Sequence, residues 1–179
     1  MKWHTTRLTI AALALMGAAG CATGSATHAA STATPSTAGG DRAWLAAVHQ
    51  ANLAETEVGE LAEKKGGTPA VRTIGAMLVT DHVASDAQVT RVAKKLKVTL
   101  PSSAAPADAA TASRLGDEAG AQFDHDFVAT MMTGHQKLIG QTQTEIGQGS
   151  APEVTRLAQS TLPVLRKHLT TLQKAAPTG

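Results

Sequence analysis

Residues 123 to 136 read FDHDFVATMMTGHQ. At helical spacing Asp124, Val128, Met131, His135 and Leu138 fall on one stripe, because residues three and four apart lie over one another on a helix. An acid and an imidazole therefore occupy the face that should be apolar. Buried polar groups need partners, so this stretch predicts an inward helix face that carries either a binding site or a hydrogen-bonded network.

The same period extends in both directions. From Asp41 onward the chain is rich in Ala, Leu, Val, Lys and Glu and poor in aromatics, and its apolar residues recur at helical spacing. A first helix is expected from about Arg42 to Lys65, with Asp41 as N-cap and Gly66-Gly67 as terminator. Its stripe is Trp44, Val48, Ala51, Glu55, Val58 and Ala62. Thr68-Pro69 supplies a cap and a first-turn proline for a second helix reaching about Lys97. Val98 to Gly120 holds Pro101 and Pro106 and reads as a long crossover with a short helix near Ala107 to Leu115. A third long helix spans about Ala121 to Gln148, and Gly149-Ser150 turns into a fourth from Pro152 to Lys174, bent by Pro163. The expected fold is all-α: a four-helix bundle over residues 41 to 175 with a long crossover between its second and third helices.

Each long helix carries a polar interruption on its apolar stripe: Glu55, His82 with its neighbour Asp81, His135 with Asp124, and His168. Helix rise decides which can meet. At about 1.5 Å per residue, Glu55 and His82 lie some 16 to 20 Å from the loop they share, and are level. His135 and His168 differ by roughly one turn, about 6 Å, which side chains can bridge. Asp124 is three turns from His135, so it is expected to cap or bind near the helix start. His49 and His125 lie off the stripes and are expected to be exposed, as are Glu57, Glu60 and Glu63.

Several ordered blocks carry a resemblance. Ala54-Glu55-Thr56-Glu57-Val58-Gly59, Met77-Leu78-Val79-Thr80-Asp81-His82, Phe123-Asp124 with His135, and Leu162-Pro163-Val164-Leu165-Arg166-Lys167-His168-Leu169 resemble the recurring blocks of domain-of-unknown-function family 4142, over nearly all of Ala43 to Gln173. The resemblance implies an exported, ferritin-like bundle, often lipidated, without implying an activity.

Three imidazoles and a carboxylate suit zinc, copper or iron, and a bundle core is where facing helices converge such ligands. Glu55, His82, His135 and His168 are the candidate ligands of one ion, with Asp81 and Asp124 as supporting or capping residues. No Glu-x-x-His occurs, which argues against a ferritin-like di-iron centre. The alternative is a non-catalytic structural or partner-binding module whose buried His and Glu residues form a hydrogen-bonded core network. Met77, Met131 and Met132 read as core filler. Neither a glycine-rich phosphate loop nor a Gly-x-Ser-x-Gly elbow is present, so no enzyme activity is expected.

The N-terminus indicates where such a module works. Residues 1 to 20 combine Lys2, Arg7 and an apolar run from Leu8 to Ala19, which reads as an export signal. Ala18-Ala19-Gly20-Cys21 resembles a lipoprotein cleavage box, with acylation such as palmitate expected on Cys21, the chain's only cysteine. Residues 21 to 40 then form a flexible Ala/Thr/Ser linker with a reach of roughly 25 Å. The expected location is the cell envelope, tethered by lipid to the outer face of a membrane; the membrane is an expected partner, and the sequence names no protein partner. Of 16 basic and 14 acidic residues, Lys2 and Arg7 leave with the signal, so the mature side chains balance and give no reason to expect nucleic acid.

Overall fold

The computed structural model describes residues 38 to 176; the expected signal segment, Cys21 and the expected linker up to residue 37 lie outside them. The described chain is five helices in the order α1 (Gly39–Lys65), α2 (Pro69–Lys95), α3 (Pro106–Gly116), α4 (Gly120–Gln148) and α5 (Pro152–Ala175). The four long helices form the expected bundle, and α3 interrupts the crossover. Among the described residues no helix is long and apolar enough to cross a membrane.

Helix α1 packs against α2 and α4, and α5 packs against α4 and α2. The α1–α2 hairpin is held unusually close by two glycines. A Cβ on Gly75 would lie 2.6 Å from the Gly59 carbonyl oxygen, and one on Gly59 would lie 3.0 Å from the Gly75 oxygen, so only hydrogen fits at either position.

The ends of the bundle are closed by carboxylates. Asp124, on α4, accepts the Gly67 and Thr68 N–H groups at 2.7 and 2.9 Å, which caps the turn between α1 and α2. At the opposite end Asp41, on α1, accepts the Ser150 N–H at 2.9 Å and its hydroxyl at 2.6 Å. Asp41 is thus not the N-cap expected: α1 begins at Gly39, and the Asp41 carboxylate reaches back to the Ala38 N–H at 2.8 Å. The physical reason is Ser150, whose two donors draw the acid into the first turn. Asp124 likewise caps a neighbouring turn rather than its own helix.

The core falls into two apolar halves. One gathers Val58, Ala62, Ile74, Leu78, Phe123, Phe127, Met131 and Leu172. The other gathers Trp44, Leu45, Val48, Val89, Leu138, Val154 and Leu165. On every long helix the residue between the two halves is one of the four polar interruptions, Glu55, His82, His135 or His168. A polar layer thus crosses the middle of the bundle. Pro163 does not end α5.

Candidate metal centre

His135 and His168 are 0 % exposed, His82 is 2 % and Glu55 is 5 %. The heights reckoned from helix rise place them together, and they meet. Glu55 Oε2 lies 2.7 Å from His82 Nε2 and 3.4 Å from His135 Nε2. His135 Nε2 lies 3.2 Å from His168 Nδ1, so side chains absorb the one-turn offset. The three ring centroids are 5.3 to 5.7 Å apart. One nitrogen from each ring lies within 4.8 Å of the other two.

Each imidazole is also held from behind. His82 Nδ1 is 2.9 Å from Asn52 Oδ1, whose own amide donates to Ser85 Oγ at 3.2 Å. His135 Nδ1 is 2.9 Å from the Met131 carbonyl oxygen, one turn back along α4. His168 Nε2 is 2.8 Å from Asp81 Oδ2. Asp81 and His82 are adjacent on α2, and their divergence of about 100° lets His82 point inward while Asp81 reaches sideways to His168. Asp81 therefore supports the layer, and Asp124 lies outside it. Each buried histidine is tied by a hydrogen bond to a residue behind it, Glu55 pairs with the rings by charge, and the three histidines form a cluster with the donor types of a metal site.

The rear partners favour one tautomer of each neutral ring. All three rear partners are acceptors, so each ring donates its N–H backward. In neutral rings the inward nitrogens of His82, His135 and His168 are then lone pairs facing one another and Glu55. The 2.7 Å approach of His82 Nε2 to Glu55 Oε2 is not aligned as a hydrogen bond, and both atoms lack a partner.

Burial by itself would raise the Glu55 carboxyl, but the surrounding histidines, His82 foremost, hold it below its ordinary value. Burial pushes His135 down, against the pull of the Glu55 charge. Burial also lowers His168, although its hydrogen bond to Asp81 opposes the shift. The layer thus favours an ionised carboxylate beside neutral His135 and His168.

His49, expected to be exposed, is buried. Its Nδ1 is 2.6 Å from Asp86 Oδ1 and its Nε2 is 3.0 Å from the Pro101 carbonyl oxygen. The crossover covers it, a contact no helical period announces. His125 is exposed and pairs with its neighbour Asp126.

Two further polar features lie on the buried helix faces. Asn52 lies three residues before Glu55 on the same face, and it orients His82. At the Asp41 end, Trp44 Nε1 donates to buried Thr142 Oγ1 at 3.2 Å, and Glu145 is buried beside Asp41. Burial, then the hydrogen bond and charge of Asp41, push the Glu145 carboxyl up to about 7.

A crystal structure of a DUF305 fragment from Deinococcus radiodurans is similar to this chain, with a TM-score of 0.69 and 16 % identity over 78 % of this chain and 97 % of that one. At that identity the likeness concerns the fold alone. No curated protein matches the chain. The family model described as "Domain of unknown function (DUF4142)" matches residues 26 to 175, a span that contains the whole histidine layer and both capping acids. The chain belongs to the DUF4142 family.

Proposed function

We propose that this protein is a non-catalytic module of the cell envelope, tethered to a membrane through acylated Cys21, whose hydrogen-bonded histidine layer binds one divalent transition-metal ion. The observation that carries the metal reading is the set of rear acceptors. In neutral rings the N–H of His82, His135 and His168 goes to Asn52, Met131 and Asp81 behind them, which turns the inward nitrogens into lone pairs able to take a cation. A rear hydrogen bond to a carbonyl or carboxylate is how ligating histidines are commonly oriented. Glu55 and Asp81 bring two negative charges to the layer, which one divalent ion balances.

The distances suit this role. A tetrahedral ion with bonds of about 2.0 to 2.1 Å holds its ligands roughly 3.4 Å apart. The His135–His168 nitrogen pair, at 3.2 Å, is already near that spacing. The wider pairs, within 4.8 Å, close by side-chain adjustments on the order of 1 Å. His82, His135, His168 and Glu55 would be the ligands, and zinc, copper and iron are all compatible with this mixed set. The set contains one inward carboxylate, which suits one ion better than the Glu-rich pair of sites in di-iron bundles.

A second reading rests on the same network without an ion. Protons on His82 and His168 would pair with Glu55 and Asp81, and the layer would then be a structural core. Metal analysis of purified protein, with zinc and copper titration of the chelator-treated protein, separates the two. Stoichiometric binding that His82→Ala, His135→Ala and His168→Ala each weaken at least tenfold supports the metal reading. Wild-type affinity in all three variants, alongside lost thermal stability, supports the structural one. The tether has its own test: mass spectrometry should find acyl groups on Cys21, and Cys21→Ser should leave the membrane fraction.

A further inference from the structure

The histidine layer is enclosed, so an ion needs a way in. Solvent comes near it at Asp81, whose side chain is 32 % exposed, but what stands behind Asp81 is the His168 Nε2 that donates to it. A cation arriving there meets an N–H rather than a lone pair.

The other approach is a cleft of about 720 Å³ between α1 and α4, overhung by α3. Its walls include Ala51, Ala54, Met131, Gly134 and Leu138, and Glu55 is the buried acid among its lining residues. The two carboxylate oxygens serve different sides. Oε2 contacts His82 and His135, whereas a Cβ placed on Gly134 would find only Oε1 nearby, at 3.8 Å. Missing side-chain bulk at Gly134 thus leaves Oε1 facing the cleft. Asp108, Asp126, Arg114 and Lys137 also line it and cancel in charge, which suits passage over long-range steering.

We infer that the α1–α4 cleft is the portal through which a divalent cation reaches the histidine layer, with Gly134 as the open doorway and Glu55 as the carboxylate that takes the ion on Oε1 and hands it inward. This rests on the metal reading above. No bond is made or broken beyond exchange of ligands around the cation: water leaves as carboxylate and then imidazole nitrogens take its place.

Gly134 can be filled without a clash, since the contact a Cβ would make there is ordinary. The series Gly134→Ala, Gly134→Val and Gly134→Leu therefore narrows the doorway stepwise in the full chain. Cobalt(II) uptake by chelator-treated protein, followed by stopped-flow absorbance, reads the rate, and equilibrium titration reads the affinity. Entry and release should slow together along the series, at least tenfold at Leu, while affinity stays within about twofold. Gly140→Leu, on an exposed part of the same helix, should keep the wild-type rate, as should wild type across ionic strengths. Wild-type rates throughout the Gly134 series, with affinity intact, would overturn the portal and leave the metal site standing. Failure of the wild-type protein to take up cobalt, zinc or copper would overturn both. Should the Leu variant fail to fold, the Ala and Val steps decide by the same comparison.

Discussion

His135 Nε2 and His168 Nδ1 face each other at 3.2 Å inside the bundle, each neutral ring donating its N–H to an acceptor behind it. Two neutral rings in that posture repel, and a cation or an added proton between them relieves the repulsion. Acidification should therefore compete with metal. Affinity for zinc should fall as pH drops below about 6.5, the ordinary histidine value, and the loss should show in titrations at pH 7.5, 6.5 and 5.5.

In the ion-free protein His135 and His168 are pushed below their ordinary value. The unfolded chain then binds more protons than the folded one, so stability is full above about pH 6.5 and declines as pH falls. Glu55, also lowered, adds a further decline below the ordinary glutamate value. Denaturant midpoints between pH 8 and 4 check this, and a His135→Gln, His168→Gln double variant should flatten the slope near pH 6.

Glu145 acts with the opposite sign. Its carboxyl is raised to about 7 beside Asp41, so the folded state holds the extra proton and stability falls as pH rises from about 4.5 to 7. The loss is at most about 3 kcal/mol from a shift of this size. Glu145→Gln, which keeps a donor toward Asp41, should be the more stable protein at pH 8 and should lose its advantage near pH 4.

Packing predictions separate the glycines. Gly75→Ala gains helix propensity but drives a methyl against the Gly59 carbonyl, and should cost about 1 to 3 kcal/mol by overpacking. Gly140→Ala meets nothing within 4 Å and should stabilise by about 0.5 to 1 kcal/mol. Leu165→Ala removes a side chain 2 % exposed and should cost about 2 to 5 kcal/mol. Urea midpoints measure all three.

Asp124→Ala should lose about 1 kcal/mol as a helix-cap deletion while leaving metal affinity at the wild-type value. A drop in affinity would mean that the α1–α2 turn positions the layer.

The helices are legible because their apolar stripes run along elements of 24 to 29 residues, long enough for the period to outweigh local exceptions. Glu55, His82, His135 and His168 stood out as polar residues on those stripes, and constant rise per residue turned sequence distance into height. The sideways reach of Asp81 followed from its adjacency to His82. The burial of His49 is not legible in the sequence because its cover is the Pro101 carbonyl, supplied by a crossover with no period. Asn52 is polar and so drops out of an apolar stripe drawn through Ala51, yet its spacing of three from Glu55 puts it on the buried face. Thr142 and Glu145 continue the stripe of Leu138 at helical spacing, and that spacing is the signal of their burial. The Gly59–Gly75 approach leaves no trace in hydrophobic patterning, since it depends on the distance between two backbones.

The turn of each hairpin is closed by a carboxylate that belongs to the other: Asp124 serves the α1–α2 turn, and Asp41 serves the α4–α5 turn. Neither hairpin carries the acid that finishes its own end. Cut apart in the crossover, each half would expose unsatisfied turn donors along with half of a divided core, so the two halves are obliged to fold as one cooperative unit, and two fragments mixed in solution have a built-in reason to find each other.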